Sequence, residues 1–404
     1  MTTRLYSDPN FHRSNIIKTG VLKLVYILIL LTGITLFSQK SKPPIMGWSS
    51  WNNFRININE QLIKEQADAL VSSGLYAAGY RYINVDDGYF GGRDEKGNLI
   101  TDNKKFPSGM KNLAAYIHSK GLKAGIYSDA GKNTCGSIWD NDKQGFGVGL
   151  YGHLDQDADL FFKDWKYDFL KVDWCGGEQM KLNEQEEYTK IINKVKSIDP
   201  NIVFNVCRWQ FPGEWAIKIA DSWRVSGDIS AKFSSILHII DLNKNLYSYA
   251  SAGHYNDMDM LQVGRGMSYD EDKTHFSMWA LLNSPLLAGN DLRSMSKATI
   301  EILTNKEIIA LNQDTAFKQA QNIISDGNIE VWQKMLNKGQ KAIAIMNRGD
   351  QGISYTLAAS KLGLNQNTKI RDLWLHKDLG KYGEQQNFRV PQHGIVVLKL
   401  ENKN

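Results

Sequence analysis

Lys171-Val172-Asp173 closes a short apolar run that begins at Phe169, and it sets a lysine and an aspartate two residues apart. Alternate side chains of a strand point the same way, so a strand here puts Lys171 and Asp173 on one face. A neighbouring ammonium favours the ionised carboxylate, and an ionised, oriented aspartate can act as a nucleophile. Taken alone, the pair fits a structural salt bridge at a strand end equally well. A second carboxylate, Asp228, follows Trp223-Arg224-Val225-Ser226, and Gly227 lets the chain turn sharply just before it. Two carboxylates converging on one pocket are what cleavage of a glycosidic bond requires, with their separation deciding between retention and inversion. Asp86-Asp87, after the apolar Tyr82-Ile83-Asn84-Val85, adds acceptors suited to sugar hydroxyls or to a hard metal.

Other chemistries find less support. Asp86, Asp87, Asp257 and Asp259 offer oxygen ligands, but no paired-histidine pattern accompanies them and His254 stands by itself. No metal is therefore assigned. The 8 histidines form no cluster and no Gly-x-Ser-x-Gly elbow occurs, which leaves a Ser-His-Asp hydrolase without its parts.

The elements that must hold these residues follow from periodicity. Between about residue 45 and residue 312, short apolar runs alternate with longer amphipathic ones through eight rounds, the pattern of a parallel barrel. The expected strands end at Gly47-Trp48, Ile83-Asp86, Gly125-Ser128, Leu170-Asp173, Val203-Cys207, Trp223-Ser226, Tyr255-Asp257 and Leu286-Asn290. Helices fill the gaps: Asn59 to Ser73 keeps a helical period, and Pro107-Ser108 and Pro212-Gly213 are expected to open two others. Polar residues gather at the C-terminal ends of these strands, which is the active-site face of a TIM barrel. An open doubly wound sheet also binds ligands at strand ends, but no Gly-x-Gly-x-x-Gly follows the first strand. The fold class expected is α/β, a (β/α)8 TIM barrel followed by a small C-terminal antiparallel β-sandwich. From about residue 320 the runs become short and rich in β-formers, as in Ile329-Trp332, Ala342-Met346, Ile353-Leu357 and Ile395-Leu398. The boundaries expected are residues 1–39 for a signal peptide, 40–318 for the barrel and 319–404 for the β domain.

Arg13, Lys18 and Lys23 precede an uncharged run from Leu24 to Phe37, which is too short to span a bilayer comfortably. It reads as a secretory signal cut near Ser38-Gln39, so the protein is expected to be exported, to a periplasm or the medium, without stable membrane insertion afterwards. Loss of residues 1–39, with four basic side chains and one acidic, takes the formal charge from +5 to +2. No basic stripe for nucleic acid is indicated. Three cysteines, Cys135, Cys175 and Cys207, allow at most one intramolecular disulfide. The 11 tryptophans and 17 tyrosines are a generous supply of rigid amphipathic rings, of the kind that line sugar sites and fill cores.

Several ordered motifs resemble glycoside hydrolase family 27, the α-galactosidase (melibiase) group, along nearly the whole mature length. They are Met46-Gly47-Trp48-Ser49-Ser50-Trp51-Asn52, Asp86-Asp87-Gly88-Tyr89, His118-Ser119-Lys120-Gly121-Leu122-Lys123 with Gly125-Ile126-Tyr127, Lys171-Val172-Asp173 and Asn256-Asp257-Met258-Asp259-Met260. Ser284-Pro285-Leu286, Asn290-Asp291-Leu292-Arg293 and Asn312-Gln313-Asp314 continue the set. The resemblance implies a retaining double displacement on an α-galactoside, without a cofactor. Asp173 matches the nucleophile and Asp228 the general acid/base. Trp51, Asp86, Asp87, Tyr127, Lys171, Arg224 and Asp259 are similar to sugar-contacting residues of the family, and Cys135 and Cys175 fall where it commonly has a disulfide beside the site, which leaves Cys207 a free thiol.

One departure stands out. Where the family's α-galactosidases usually have Cys-Glu-Trp, with the carboxylate facing the sugar's 2-hydroxyl, this chain has Cys207-Arg208-Trp209-Gln210. Arginine accepts no hydrogen bond. Arg208 is expected in the binding site in one of three roles: toward an acceptor subsite, recognising a charged or modified substrate, or paired with a carboxylate from elsewhere in the pocket. The related specificities are β-L-arabinopyranosidase and α-N-acetylgalactosaminidase, and the first is linked to loss of one carboxylate of the Asp86-Asp87 pair. Both aspartates are present, which favours terminal α-D-galactosyl groups. A galactose-binding protein without turnover is a reading from a different class, and it needs neither Asp173 nor Asp228.

Overall fold

The computed structural model describes residues 42–365 and 367–401. The signal-peptide expectation lies outside these residues, and among those described no helix is long and apolar enough to cross a membrane. In chain order the first ten strands are β1 (Met46–Ser49), β2 (Tyr82–Asn84), β3 (Phe90–Arg93), β4 (Leu99–Thr101), β5 (Lys123–Asp129), β6 (Phe169–Asp173), β7 (Val203–Val206), β8 (Ser222–Arg224), β9 (Tyr255–Asp257) and β10 (Leu286–Ala288). Eight of them form one parallel sheet in the order β10-β1-β2-β5-β6-β7-β8-β9, while β3 and β4 make a separate antiparallel pair. The two edges meet beyond β9. Leu261 pairs with Ala288 in parallel, donating its N–H to Leu287 O at 2.7 Å and accepting from Gly289 N at 3.0 Å, so the sheet closes into a barrel. Every expected barrel strand is present. Strands buried on both faces must be apolar at nearly every position, as β7 (Val-Phe-Asn-Val) and β10 (Leu-Leu-Ala) are.

The helix expected from Asn59 runs over Glu60–Ser72, with the Asn59 side chain accepting from Leu62 N at 2.9 Å. Its buried Ile63, Ala67 and Leu70 recur every three or four residues, the spacing that presents one stripe to the barrel. Ser108 likewise precedes a helix, Gly109–Ser119. The helix expected from Pro212-Gly213 does not form, and only a 3-10 turn, Ala216–Lys218, stands between β7 and β8. Gly213 sits at φ +111°, outside any helical geometry, so the chain leaves the helical path directly after Pro212.

The remaining strands are β11 (Gln321–Asp326), β12 (Ile329–Met335), β13 (Lys341–Asn347), β14 (Ile353–Ala358), β15 (Lys369–Asp372), β16 (Lys377–Lys381), β17 (Gln385–Val390) and β18 (Ile395–Glu401). They make a six-stranded antiparallel sheet, β11-β12-β13-β18-β15-β16, faced by the pair β14-β17. The larger sheet is apolar on both sides. Val331, Ile343, Ile345 and Leu398 pack with Leu357, Phe388 and Val390 of the smaller sheet, whereas Trp332, Ala342, Ala344 and Met346 join the core of the barrel. That double burial explains the unbroken Ala342-Ile343-Ala344-Ile345-Met346 run, because alternate residues face two different hydrophobic layers.

Helix Tyr269–Leu281 lies in this shared core and is opened by a capping box between Ser268 and Glu271. Thr274 Oγ1 donates to His393 O at 2.7 Å, and Ser277 Oγ accepts from Trp374 Nε1 at 3.0 Å. His275 of the same helix is fully buried and accepts from Gln262 N through Nε2 at 2.9 Å. Burial pulls its pKa from 6.5 down to about 3. An unfolded chain takes up this proton near pH 6.5 and the folded one does not, so the stability His275 contributes is complete above about pH 6.5 and lost as pH falls toward 3. Between pH 6.5 and 4.5 that is on the order of 2–3 kcal/mol. His275→Gln is expected to flatten the fall in urea unfolding free energy across this range by that amount, and identical slopes for the two proteins would remove His275 as the cause.

Candidate active site

The parallel strands deliver their polar ends to one rim. On β6, Lys171 and Asp173 share a face, with Lys171 in register with Tyr127 and Asn205 on the neighbouring strands and Asp173 with Asp129. Two cations, the part-buried Lys171 and the buried Arg224, organise the carboxylates. Lys171 Nζ lies 3.1 Å from Asp86 Oδ2 and 3.6 Å from Asp173 Oδ1. Arg224, at the end of β8, reaches Asp259 Oδ2 at 2.9 Å and Asp228 Oδ1 at 3.1 Å. Removing ions from water costs several kcal/mol each, and pairing offsets that only where partners are well placed. Each cation here has two carboxylates, which makes the cluster a positioned charge array.

The carboxylates differ in environment. Burial lifts Asp173 to about 6 against the pull of Lys171, with Asp86 adding to the rise. Its Oδ1 is buried and accepts no hydrogen bond. Asp259, at φ +74°, is likewise lifted to about 6 by burial against Arg224, while its oxygens accept from Ile229 N and Met260 N. Asp228 has a side chain 55% exposed. Partial burial pushes it up, but Arg224 and Lys171 more than offset that and hold it below the usual carboxylate range. Asp87 is fully buried beneath the short helix Cys135–Trp139, accepting from Gly88 N at 2.8 Å and Gly136 N at 2.7 Å, and burial takes it to about 7. A Cβ at Gly136 would come within 2.7 Å of Asp87 Oδ2, so this approach requires glycine.

A cavity of about 330 Å³ opens on this rim, within the range of a small-molecule site. Trp51, Lys171, Asp173 and Asp228 line it. Below it, Asp86, Tyr127, Arg224 and Asp259 surround a smaller space inside the barrel mouth, and Lys171 belongs to both walls. Tyr127 is buried and its hydroxyl accepts from Cys135 N at 3.2 Å. Cys135 and Cys175 form a disulfide, with Cα atoms 5.2 Å apart, that joins the segment after β5 to the segment after β6. Cys207 is a buried free thiol, 3.6 Å from Arg224 Nη1.

Arg208 does not line either space. Its Nε donates to Glu184 Oε2 at 2.8 Å, at the start of helix Glu184–Ile198, and Glu184 lines neither space, so Arg208 pairs with a carboxylate outside the pocket, which is none of the three roles expected of it. The next residue, Trp209, lines the cavity instead, at φ +58°. Arg55, Trp139 and Glu178 also line it and were not anticipated. Trp139 and Glu178 belong to the short helices Cys135–Trp139 and Cys175–Gln179, and Arg55 follows the short helix Trp51–Phe54, all of them too brief for a helical period to show in the chain.

Comparison with known proteins bears on this arrangement directly. The family described as "Alpha galactosidase A" matches residues 43–314, and "Alpha galactosidase C-terminal beta sandwich domain" matches residues 326–400. The chain belongs to the α-galactosidase (melibiase) family. It is 42% identical to α-galactosidase A of Cellvibrio japonicus (strain Ueda107), over 90% of this chain and 93% of that protein. Among solved structures it resembles α-galactosidase I of Mortierella vinacea, with TM-score 0.84 and 33% identity over 90% and 98% of the two chains. It also resembles an α-galactosidase from Saccharomyces cerevisiae solved with raffinose, with TM-score 0.81 and 26% identity over 89% and 98% of the chains. This member of the melibiase family is therefore a glycoside hydrolase on a TIM barrel with an antiparallel C-terminal domain.

Proposed function

We propose that this chain is an exported, retaining exo-α-galactosidase that removes terminal α-D-galactosyl groups from oligosaccharides or polysaccharide side chains. The observation that carries it is one cavity lined by both Asp173 and Asp228, with a cation at each carboxylate, Lys171 at the first and Arg224 at the second. The relative with raffinose binds an α-galactoside of this kind.

In the first displacement, Asp173 attacks the anomeric carbon as the bond to the leaving oxygen breaks, and Asp228 gives that oxygen a proton. Asp228 is ionised while water reaches it, and a bound substrate covering its exposed side removes that solvation and raises its pKa, with the Asp173 charge acting in the same direction. Once Asp173 is esterified that charge is gone, so Asp228 returns to its low pKa and deprotonates the water that releases galactose. Two inversions retain the α configuration. Asp86 and Asp87 take the 4- and 6-hydroxyls and Trp51 the apolar face of the ring, with Tyr127, Lys171, Arg224 and Asp259 completing the sugar site. The disulfide between Cys135 and Cys175 holds its rim. Arg208, engaged by Glu184, is left out of this set. Residues 1–39 act as the signal peptide, 40–318 as the catalytic barrel and 319–404 as the β domain.

The test is kcat/KM of the purified mature chain on matched nitrophenyl α-D-galactoside, α-N-acetylgalactosaminide and β-L-arabinopyranoside. Galactoside is expected to lead, by roughly tenfold or more, because a few kcal/mol of hydroxyl recognition separates these sugars. A lead for either other sugar would replace the substrate and keep the mechanism, and no turnover of any would revive the reading as a binding protein.

A further inference from the structure

Trp139 is the most exposed large apolar side chain among the described residues, at 72%, and it lines the catalytic cavity. Leaving such a ring in water forgoes on the order of 2–3 kcal/mol of burial. It is nevertheless held firmly. Its helix starts at Cys135, bonded to Cys175 two residues beyond Asp173, and Thr134 caps it through Ser137 N. Gly136 N is tied to Asp87, and directly after Trp139 the Asp140 carboxylate takes a two-pronged bond from Arg55, at 2.6 and 2.8 Å. Arg55 itself stands with φ +48°, and its guanidinium lies 4.8 Å from the ring of Trp51. With Nε and Nη2 committed to Asp140, Nη1 donates to no group of the described protein, and the side chain is 50% exposed at the cavity. Trp209 stands on the same cavity in a backbone conformation unusual for a bulky residue.

We propose that Trp139, with Arg55 and Trp209, forms the site for the leaving group, and that its occupant is the pyranose ring to which galactose is attached. A pyranose has an apolar C–H face that fits an indole and a rim of hydroxyls that accepts from a guanidinium, whereas an alkyl or lipid leaving group would strip water from Arg55 and Glu178 without replacing its hydrogen bonds. The platform adjoins the carboxylates and is fixed to the segment carrying Asp173, so contacts made there persist as the glycosidic bond breaks and raise kcat/KM for substrates that carry a leaving sugar. Preorganisation through the disulfide and the Arg55–Asp140 pair limits the entropy lost when the leaving sugar is bound.

This inference rests on the α-galactosidase reading, and two substrates separate the two. α-D-Galactosyl fluoride carries no leaving sugar, while an α-1,6-linked galactosyl-glucose disaccharide does. Trp139→Ala is expected to lower kcat/KM for the disaccharide roughly tenfold or more while changing that for the fluoride less than about threefold, and Trp139→Phe is expected to recover most of the loss. Equal losses on both substrates, or no loss on the disaccharide, would overturn the platform while leaving the activity standing. A wild-type protein that turns over neither substrate would overturn the activity and the platform with it.

Discussion

Asp173→Asn is expected to lower turnover of an aryl α-D-galactoside by roughly 10⁴-fold or more while galactose still binds, because the amide keeps the shape of the carboxylate and loses its nucleophilicity. The fold is expected to survive. Burial holds Asp173 near 6, which means that the folded state disfavours its charge, so ionised Asp173 costs stability as pH rises above about 4 through 6. Asn carries no such penalty, and Lys171 keeps Asp86 as its partner at 3.1 Å. The melting temperature at pH 7 should therefore be no lower than that of the wild type. Added azide sharpens the assignment with Asp173→Gly, where the anion can enter the vacated space and attack the anomeric carbon in a single inversion. The product expected is β-galactosyl azide. An α-azide from this variant, or loss of galactose binding equal to the loss of turnover, would take the nucleophile role from Asp173.

Asp228→Ala carries the second large effect, and its signature is dependence on the leaving group. A disaccharide needs a proton on the departing oxygen, so kcat/KM for it is expected to fall roughly 10²- to 10⁴-fold. Galactosyl fluoride departs without that proton and should lose far less in the first displacement, with the glycosyl-enzyme then accumulating because no base activates water. Azide bypasses the missing base and should release α-galactosyl azide, the opposite configuration to that from Asp173→Gly. Removing Asp228 frees one contact of Arg224, which keeps Asp259 at 2.9 Å, so the array does not collapse. A uniform loss across leaving groups would mean that Asp228 acts through Arg224 and not on the substrate.

Much of the architecture is legible in the sequence. The eight barrel strands each occupy a short apolar run ended by polar or glycine residues, and the helix Glu60–Ser72 starts at the asparagine and stops at the serine that its period marks. These signals are local, set by side chains within a few residues of one another. Pro212-Gly213 misled for a local reason of another kind. Proline at a first turn is a helix signal, but glycine at positive φ breaks the path immediately after it. The Cys135–Cys175 pairing came through family resemblance, since spacing alone leaves three pairings open.

The chain by itself determined the order of strands, the face on which the polar residues gather and, through the ordered melibiase motifs, the family. Tertiary structure alone decided what each charge meets. Arg208 finds Glu184 from a helix 24 residues earlier in the chain, Arg55 finds Asp140 across 85 residues, and the exposed ring of Trp139 comes to share a cavity with Asp173 and Asp228. The unequal acidities of Asp173 and Asp228 have the same origin, because one is sealed beside Lys171 and the other half open beside Arg224. Periodicity and turn chemistry act over a few residues of backbone, whereas burial and Coulomb interactions act through space between elements that only the closed barrel brings together.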